Sequence, residues 1–204
     1  MPIAIERNTV CNVDGWLLRP CPFLPITEFS CGDDDLDEYF REDAIEARDL
    51  MTCETFVLTH EKSSDAAVGL VSVCNDTMAM KDIRGLPELK GTPEAKLNYK
   101  DWPAVKIARL AVLRDVQGKN VGSHLMNLLK HLFVVENRTG CRIMTVDAYN
   151  KPEVIRFYVK NGFDFITAKD INRQTRGMWF DLLPCRNSFP PRVEEPATAP
   201  TQPD

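Results

Sequence analysis

Residues Gln117 to Ser123 carry the residue types and spacing in this sequence best suited to chemistry. Gly118, Asn120 and Gly122 stand between an apolar, β-branched run (Val105 to Val112) and a run of helical period, so the order reads strand, tight turn, helix. A turn that opens a helix aims unsatisfied backbone N–H groups, and the positive end of the helix dipole, at one point. Phosphate oxygens are the natural occupants of such a point. The run is neither a Gly-x-x-x-x-Gly-Lys loop nor Gly-x-Gly-x-x-Gly, which sets aside the usual nucleoside-triphosphate and dinucleotide readings. If the turn needs positive φ, asparagine is the least penalised non-glycine residue for Asn120, at a cost of about 1 kcal/mol. The competing reading makes Asn120 an ordinary helix N-cap.

Two further pieces follow in order. TVDAYN (Thr145 to Asn150) reads as a strand ending in asparagine, and VIRFYVKNGFDFI (Val154 to Ile166) as a helix stopped at Gly162 and followed by a strand. Together with Gln117-Gly118-Lys119-Asn120-Val121-Gly122 they resemble the GNAT superfamily of acyl-CoA-dependent N-acyltransferases. That family's phosphate loop reads Gln/Arg-x-x-Gly-x-Gly/Ala and its later helix FYxxxGF; Asn120 takes the place of the loop's first glycine of the G-x-G pair. The run from Phe29 through Cys31-Gly32 and Leu36-Asp37, with PAVKIARLAV (Pro103 to Val112), resembles one branch of the family. That branch includes the toxin acetyltransferases of bacterial toxin–antitoxin pairs, which acetylate the amino group of aminoacyl-tRNA.

The resemblance implies an α+β GNAT fold, with a mixed, mostly antiparallel sheet flanked by helices and splayed central strands. It implies acetyl-CoA as cosubstrate and direct attack of a primary amine on the thioester. Leu110, Ala111 and Val112 would hold the pantetheine arm, and Gln117, Gly118, Lys119, Asn120, Val121, Gly122 and Ser123 the pyrophosphate. Tyr158 would be the general acid, since a phenol of pKa near 10 suits protonation of a departing thiolate. A backbone N–H of the central strand, that of Val112, would face the oxyanion. Asn150 would bond the cofactor or orient a loop, with a strand-end Asx turn as its competitor. No base stands out: Asp76, Asp147 and Tyr149 lie near strand ends, and water can take the proton instead. The expected partner is a small-molecule or peptide amine, with tRNA, a small antitoxin and a second copy of the chain as further candidates. A tRNA acceptor predicts a basic patch drawn from Arg109, Lys119, Lys130, Arg142, Lys151, Lys160 and Arg176, among others. A non-catalytic acyl-CoA sensor would keep the loop and leave Tyr158 idle.

The elements that must position these residues follow from pattern. A chain of 204 residues, 44% hydrophobic, is expected to form one domain over residues 1–183, with a proline-rich, disordered tail over 184–204. Seven cysteines without a CxxC pair read as reduced thiols, with no metal site expected. No run approaches the roughly 18 apolar residues of a membrane span, and no basic-then-apolar leader is seen, so a cytoplasmic location is expected. The net charge of −5 argues against nucleic-acid binding through the whole surface.

In chain order, residues 1–25 leave open a strand or a packed arm, and Ile26 to Phe29 suit a short first strand. Ser30 or Asp33 could cap a helix whose Leu36, Tyr39, Phe40, Ala44 and Ala47 share one face and whose other face is acidic. Thr55–His60 and Ala66–Cys74 read as a hairpin, and Met80 to Pro103 as a long polar loop over the acceptor pocket. Val121, Leu125, Leu128, Leu129, Leu132 and Val135 make the buried stripe of the long helix, leaving His124 and His131 on its solvent side. Pro152 starts the helix that ends at Gly162, and Gly177 to Leu183 closes the sheet.

Overall fold

The computed structural model describes residues 11–21, 26, 28–62, 66–79, 82, 101–135 and 140–188. Runs of alternating or β-branched residues form eight strands: β1 (Cys11–Val13), β2 (Trp16–Pro20), β3 (Glu54–His60), β4 (Gly69–Ala79), β5 (Asp101–Val112), β6 (Ile143–Tyr149), β7 (Asp164–Phe165) and β8 (Thr175–Asp181). They make one sheet in the order β1-β2-β3-β4-β5-β6-β8-β7. Among the described residues only β5 and β6 run parallel, and every other neighbouring pair is antiparallel.

Successive side chains of a strand point to opposite faces, and each face is covered by different helices. Over one face lies α3 (Val121–Val135), whose Val121, Leu125, Leu128, Leu129 and Leu132 pack with Val71, Val73, Ile107, Met144 and Val146. That stripe is the expected one, except that Val135 is only half-buried. Here α4 (Pro152–Lys160) adds Tyr158 to the same core. The other face receives α1 (Asp34–Glu38) and α2 (Ala44–Asp49), joined by a π-helical turn over Tyr39–Asp43. The wider turn sets adjacent Tyr39 and Phe40 both against the sheet, beside Ala44, Leu70 and Ala111. Asp33 caps α1 by accepting from the Leu36 N–H at 3.4 Å.

Several expectations need correction. Ile26, Glu28 and Phe29 are not in a strand. Instead β1 and β2 form a hairpin through Asp14 and Gly15, both at positive φ (53° and 79°), as a type I′ turn requires. His124 and His131 are not idle on the solvent side. His124 stacks on Trp16 with centroids 4.9 Å apart, and the His131 Nδ1 lies 2.9 Å from the Cys11 Sγ, so both fasten that hairpin to α3. Asp101, Trp102 and Pro103 open β5 rather than end a loop; residues 80, 81 and 83–100 of the expected loop lie outside the described residues. Pro184 to Asn187, expected in the disordered tail, belong to a 3-10 helix (Leu183–Asn187), and residues 189–204 lie outside the described residues. No helix among the described residues is long and apolar enough to cross a membrane.

Candidate active site

The site begins where two parallel strands part. β5 pairs with β6 only from Ala104↔Ile143 to Ile107↔Val146, yet β5 runs on to Val112 and β6 to Tyr149. On its other side β5 stays in register with β4, and the register shifts between Ser72 (opposite Arg109) and Val73 (opposite Ile107). Ala108 is thus the extra residue of a β-bulge, which bends a strand and increases its local twist. The bend leaves a wedge between the strands that opens into a cleft of about 630 Å³, lined by Ala108 to Val112 from one strand and Val146 to Tyr149 from the other. Leu110, Ala111 and Val112 all line it, on a stretch of β5 that has no β6 partner.

A second cleft of about 450 Å³ shares Leu110, Val112 and Tyr158 with the first, and its far wall is the turn that opens α3: Gly118, Asn120, Val121, Gly122 and Ser123. Gly118 and Asn120 both take positive φ, 75° and 66°, so asparagine occupies a left-handed position here. The Asn120 side chain does not cap α3; its Oδ1 accepts from the Lys160 Nζ at 3.0 Å, bringing a cation to the turn. Gly122 is needed for close packing, since a Cβ there would stand 2.9 Å from the Phe157 ring on α4. Gln117 is a brace: its Nε2 donates to the Cys31 carbonyl at 2.8 Å and to the Val112 carbonyl at 2.9 Å, tying the turn to the end of β5. The Lys119 side chain turns back to the Asp115 carbonyl, and Lys119 lines neither cleft.

Tyr158 stands where the two clefts meet, 6% exposed, with Phe157 and Phe163 edge-on to its ring. Burial disfavours the phenolate, so the phenol sits well above its ordinary value, not near 10 as expected from the sequence. Cys31 and Cys74 also line the larger cleft, and burial pushes both thiols up to about 11. Neither is a thiolate at neutral pH.

The α1 face of the wedge is polar. Asp147 accepts from the Lys106 Nζ at 2.5 Å, and the hydrogen bond to Asp147 raises the Lys106 pKa. The Tyr149 hydroxyl donates to Asp35 at 2.9 Å, and the Lys151 Nζ lies 3.9 Å from Asp33. Arg109 lies over the Tyr39 ring at 5.0 Å. Asp76, the third candidate base, accepts from the Thr145 hydroxyl at 2.6 Å and does not line either cleft.

Of the two roles expected of Asn150, bonding the cofactor or orienting a loop, its hydrogen bonds are those of the second. It lines neither cleft; its Nδ2 donates to the Ile171 and Arg173 carbonyls at 2.8 and 3.0 Å, holding the loop before β8. The expected basic patch does not assemble as a whole. Arg109, Lys151 and Lys160 reach the clefts, whereas Lys130 is buried, Arg142 pairs with Asp181, and Arg176 with Asp170. Glu153, which lines both clefts, and the Gln117 brace had no signal in local sequence, because each depends on elements distant in the chain.

Comparison with known proteins agrees with this geometry. A family model described as an acetyltransferase (GNAT) domain matches residues 53–164. The chain is 29% identical over 142 residues to a tRNA-acetylating toxin of Mycobacterium tuberculosis (strain ATCC 25618 / H37Rv), which covers 69% of this chain and 77% of that protein. Among solved structures, a bacterial toxin superposes with a TM-score of 0.67 at 17% identity, covering 84% of this chain and 94% of that one. AtaTR bound with AcCoA superposes with a TM-score of 0.62 at 19% identity, covering 86% and 99%.

Proposed function

Because this chain belongs to the GNAT acetyltransferase family, we propose that it moves an acetyl group from acetyl-CoA to a primary amine by direct attack of the amine on the thioester. The observation that carries this reading is the wedge between β5 and β6, continuous with the turn that opens α3. The residues present fit the cosubstrate. Leu110 to Val112 offer an edge of strand free of β6, which can pair with the amides of a pantetheine arm. The backbone N–H groups of Gly118, Asn120, Val121 and Gly122, at a helix N-terminus and beside Lys160, suit a diphosphate, while those of Lys119 and Ser123 donate to the Val116 and Asn120 carbonyls. In this assignment Gln117 braces the turn, Lys119 stays outside, and Asn150 orients the loop before β8. The cosubstrate supplies an activated acetyl group and a thiolate leaving group; the chain supplies position and protons.

Three features support direct transfer. The two cleft thiols, Cys31 and Cys74, are held protonated, which disfavours an acetyl-cysteine intermediate. Tyr158, protonated at every working pH, is placed between the clefts to give a hydrogen bond, and then a proton, to the departing sulfur. A free N–H on β5 beyond Ile107, that of Val112, is assigned to the oxyanion. Asp147 and Tyr149 are each already bonded, so the ammonium proton is assigned to water in the open cleft.

For the acceptor, the likeness to a tRNA-acetylating toxin favours a second, finer reading in which the amine is that of an aminoacyl-tRNA. Against it stand the net charge of −5 and the carboxylates on the α1 side of the cleft, Asp33 in its lining and Asp35 bonded to Tyr149. The test is release of free thiol from acetyl-CoA in the presence of polyamines, amino acids, peptides and aminoacyl-tRNA, with the acetylated product identified by mass. Turnover on one class assigns the acceptor. Binding of acetyl-CoA without turnover on any would replace the enzyme reading with a sensor.

A further inference from the structure

The polar groups along the larger cleft are paired in a way that singles out one cation. Lys106 bonds Asp147, Lys151 lies against Asp33, and the Tyr149 hydroxyl donates to Asp35. Arg109 lines the same cleft, and among the described residues no carboxylate bonds to it. Its Nη1 donates to the Ala108 carbonyl at 2.9 Å and its guanidinium lies on the Tyr39 ring, so the group is held in place. Its Nε is buried and has no hydrogen-bond partner. The bulge at Ala108 sets it at the point where β5 leaves β6, at the mouth of the wedge, where the proposed transfer would take place. A positioned, planar guanidinium to which no carboxylate is bonded among the described residues is suited to an oxyanion, which Arg can engage through two parallel hydrogen bonds.

We propose that Arg109 is a specificity residue that seats an anionic oxygen group, phosphodiester or carboxylate, carried by the acceptor close to its amine. The inference rests on the acetyltransferase reading above and narrows it: polyamines, which are cationic throughout, become poor acceptors. An oxyanion on the guanidinium fixes one end of the acceptor, so the neutral amine is presented to the gap between the strands rather than diffusing within the cleft.

The test uses acceptors in pairs that differ by one anionic group: aminoacyl-adenosine against aminoacyl-cytidylyl-adenosine, and an amino acid amide against the free amino acid. The expected result is a preference for the anionic member of one pair, in kcat/KM, that falls about 10- to 100-fold in Arg109→Gln and is partly restored in Arg109→Lys. The pair that shows it identifies phosphodiester or carboxylate as the source. An unchanged preference in both pairs overturns the proposal, as does the same loss on charged and neutral members. Calorimetric titration of cytidylyl-adenosine and of an N-acetyl amino acid into wild type and Arg109→Gln gives a second readout that needs no turnover. Arg109-dependent binding without any turnover would sink the acetyltransferase reading and keep the anion seat; turnover without Arg109-dependent preference would do the reverse.

Discussion

At Tyr158 the surroundings change the chemistry that the residue type alone suggests. A free phenol titrates about 1.5 units above a thiol, but enclosure by Phe157 and Phe163 raises this one further. The raised value keeps the acid form present at higher pH and leaves complete proton transfer to a thiolate uphill, so the phenol acts first as a hydrogen-bond donor to the sulfur as its charge grows. The predicted signature is therefore a kcat that shows no alkaline decline from Tyr158 up to about pH 10, since the group loses its proton only above its ordinary value of about 10. Tyr158→Phe should lower kcat by about 10²-fold with the KM for acetyl-CoA little changed, measured by steady-state thiol release. Undiminished turnover in that variant would remove Tyr158 from the mechanism. The position of Tyr158 was legible because FYxxxGF is a local pattern, and so was the positive φ of Asn120, which follows from the turn itself. For Asn150 the loop-orienting role was one of two open alternatives, and its partners, the Ile171 and Arg173 carbonyls, arrive from a loop whose path local pattern does not specify.

Among the elements, the long helix, the hairpin of β3 and β4 and the glycine stop at Gly162 could be read from period and punctuation. Of the strand and the packed arm left open for residues 1–25, strands are what Cys11–Val13 and Trp16–Pro20 form, and Asp14-Gly15 between apolar residues is the signal for their hairpin. The wedge was expected only through the family resemblance, as splayed central strands, because local pattern does not show the end of pairing beyond Ile107 or the one-residue bulge at Ala108. Lys130 shows the same limit from the other side. It sits among leucines of α3, 6% exposed, with its Nζ 3.6 Å from the Phe180 ring centroid and bonded to the Asn161 carbonyl at the end of α4. Burial lowers its pKa to about 8, against an ordinary value of 10.5. Between those values the unfolded chain binds more protons than the folded one, so this residue's penalty is largest below pH 8 and fades as pH rises towards 10.5. Lys130→Met should therefore raise the melting temperature most at pH 7, with the gain shrinking steadily as pH rises from 8 to 10. Cys31, Cys74 and Cys185 titrate in the same range with raised values, which destabilise the fold as pH rises, so the informative quantity is the difference between variant and wild type at each pH.

For the whole molecule, the sheet is interrupted at its centre, between the two strands that join its halves. One half, from β1 to β5, carries the α1–α2 layer and the first part of the site; the other, from β6 to β8, carries Tyr149 and, through α4, Tyr158. Their direct pairing is limited to four registered residue pairs, Ala104↔Ile143 to Ile107↔Val146. An occupant that hydrogen-bonds the free edge of β5 and fills the wedge replaces missing ladder contacts, so cosubstrate binding and global stability are linked. At acetyl-CoA concentrations 100 times its dissociation constant the folded state gains about 2.7 kcal/mol. For a domain of this size each kcal/mol moves the midpoint by about 2–4 °C, so thermal unfolding should shift upward by about 5–10 °C. The size of the shift separates the parts of the site. Tyr158→Phe, which removes a proton donor and leaves the turn and the free edge intact, should keep most of it. Gly122→Val, which drives side-chain atoms into the Phe157 ring that a Cβ alone would meet at 2.9 Å, should displace the opening of α3 and abolish it, even where the unliganded midpoint is restored by a compensating Phe157→Leu change. A full shift in Gly122→Val would mean that acetyl-CoA is held elsewhere than at this turn, and the assignment of both clefts would fall together.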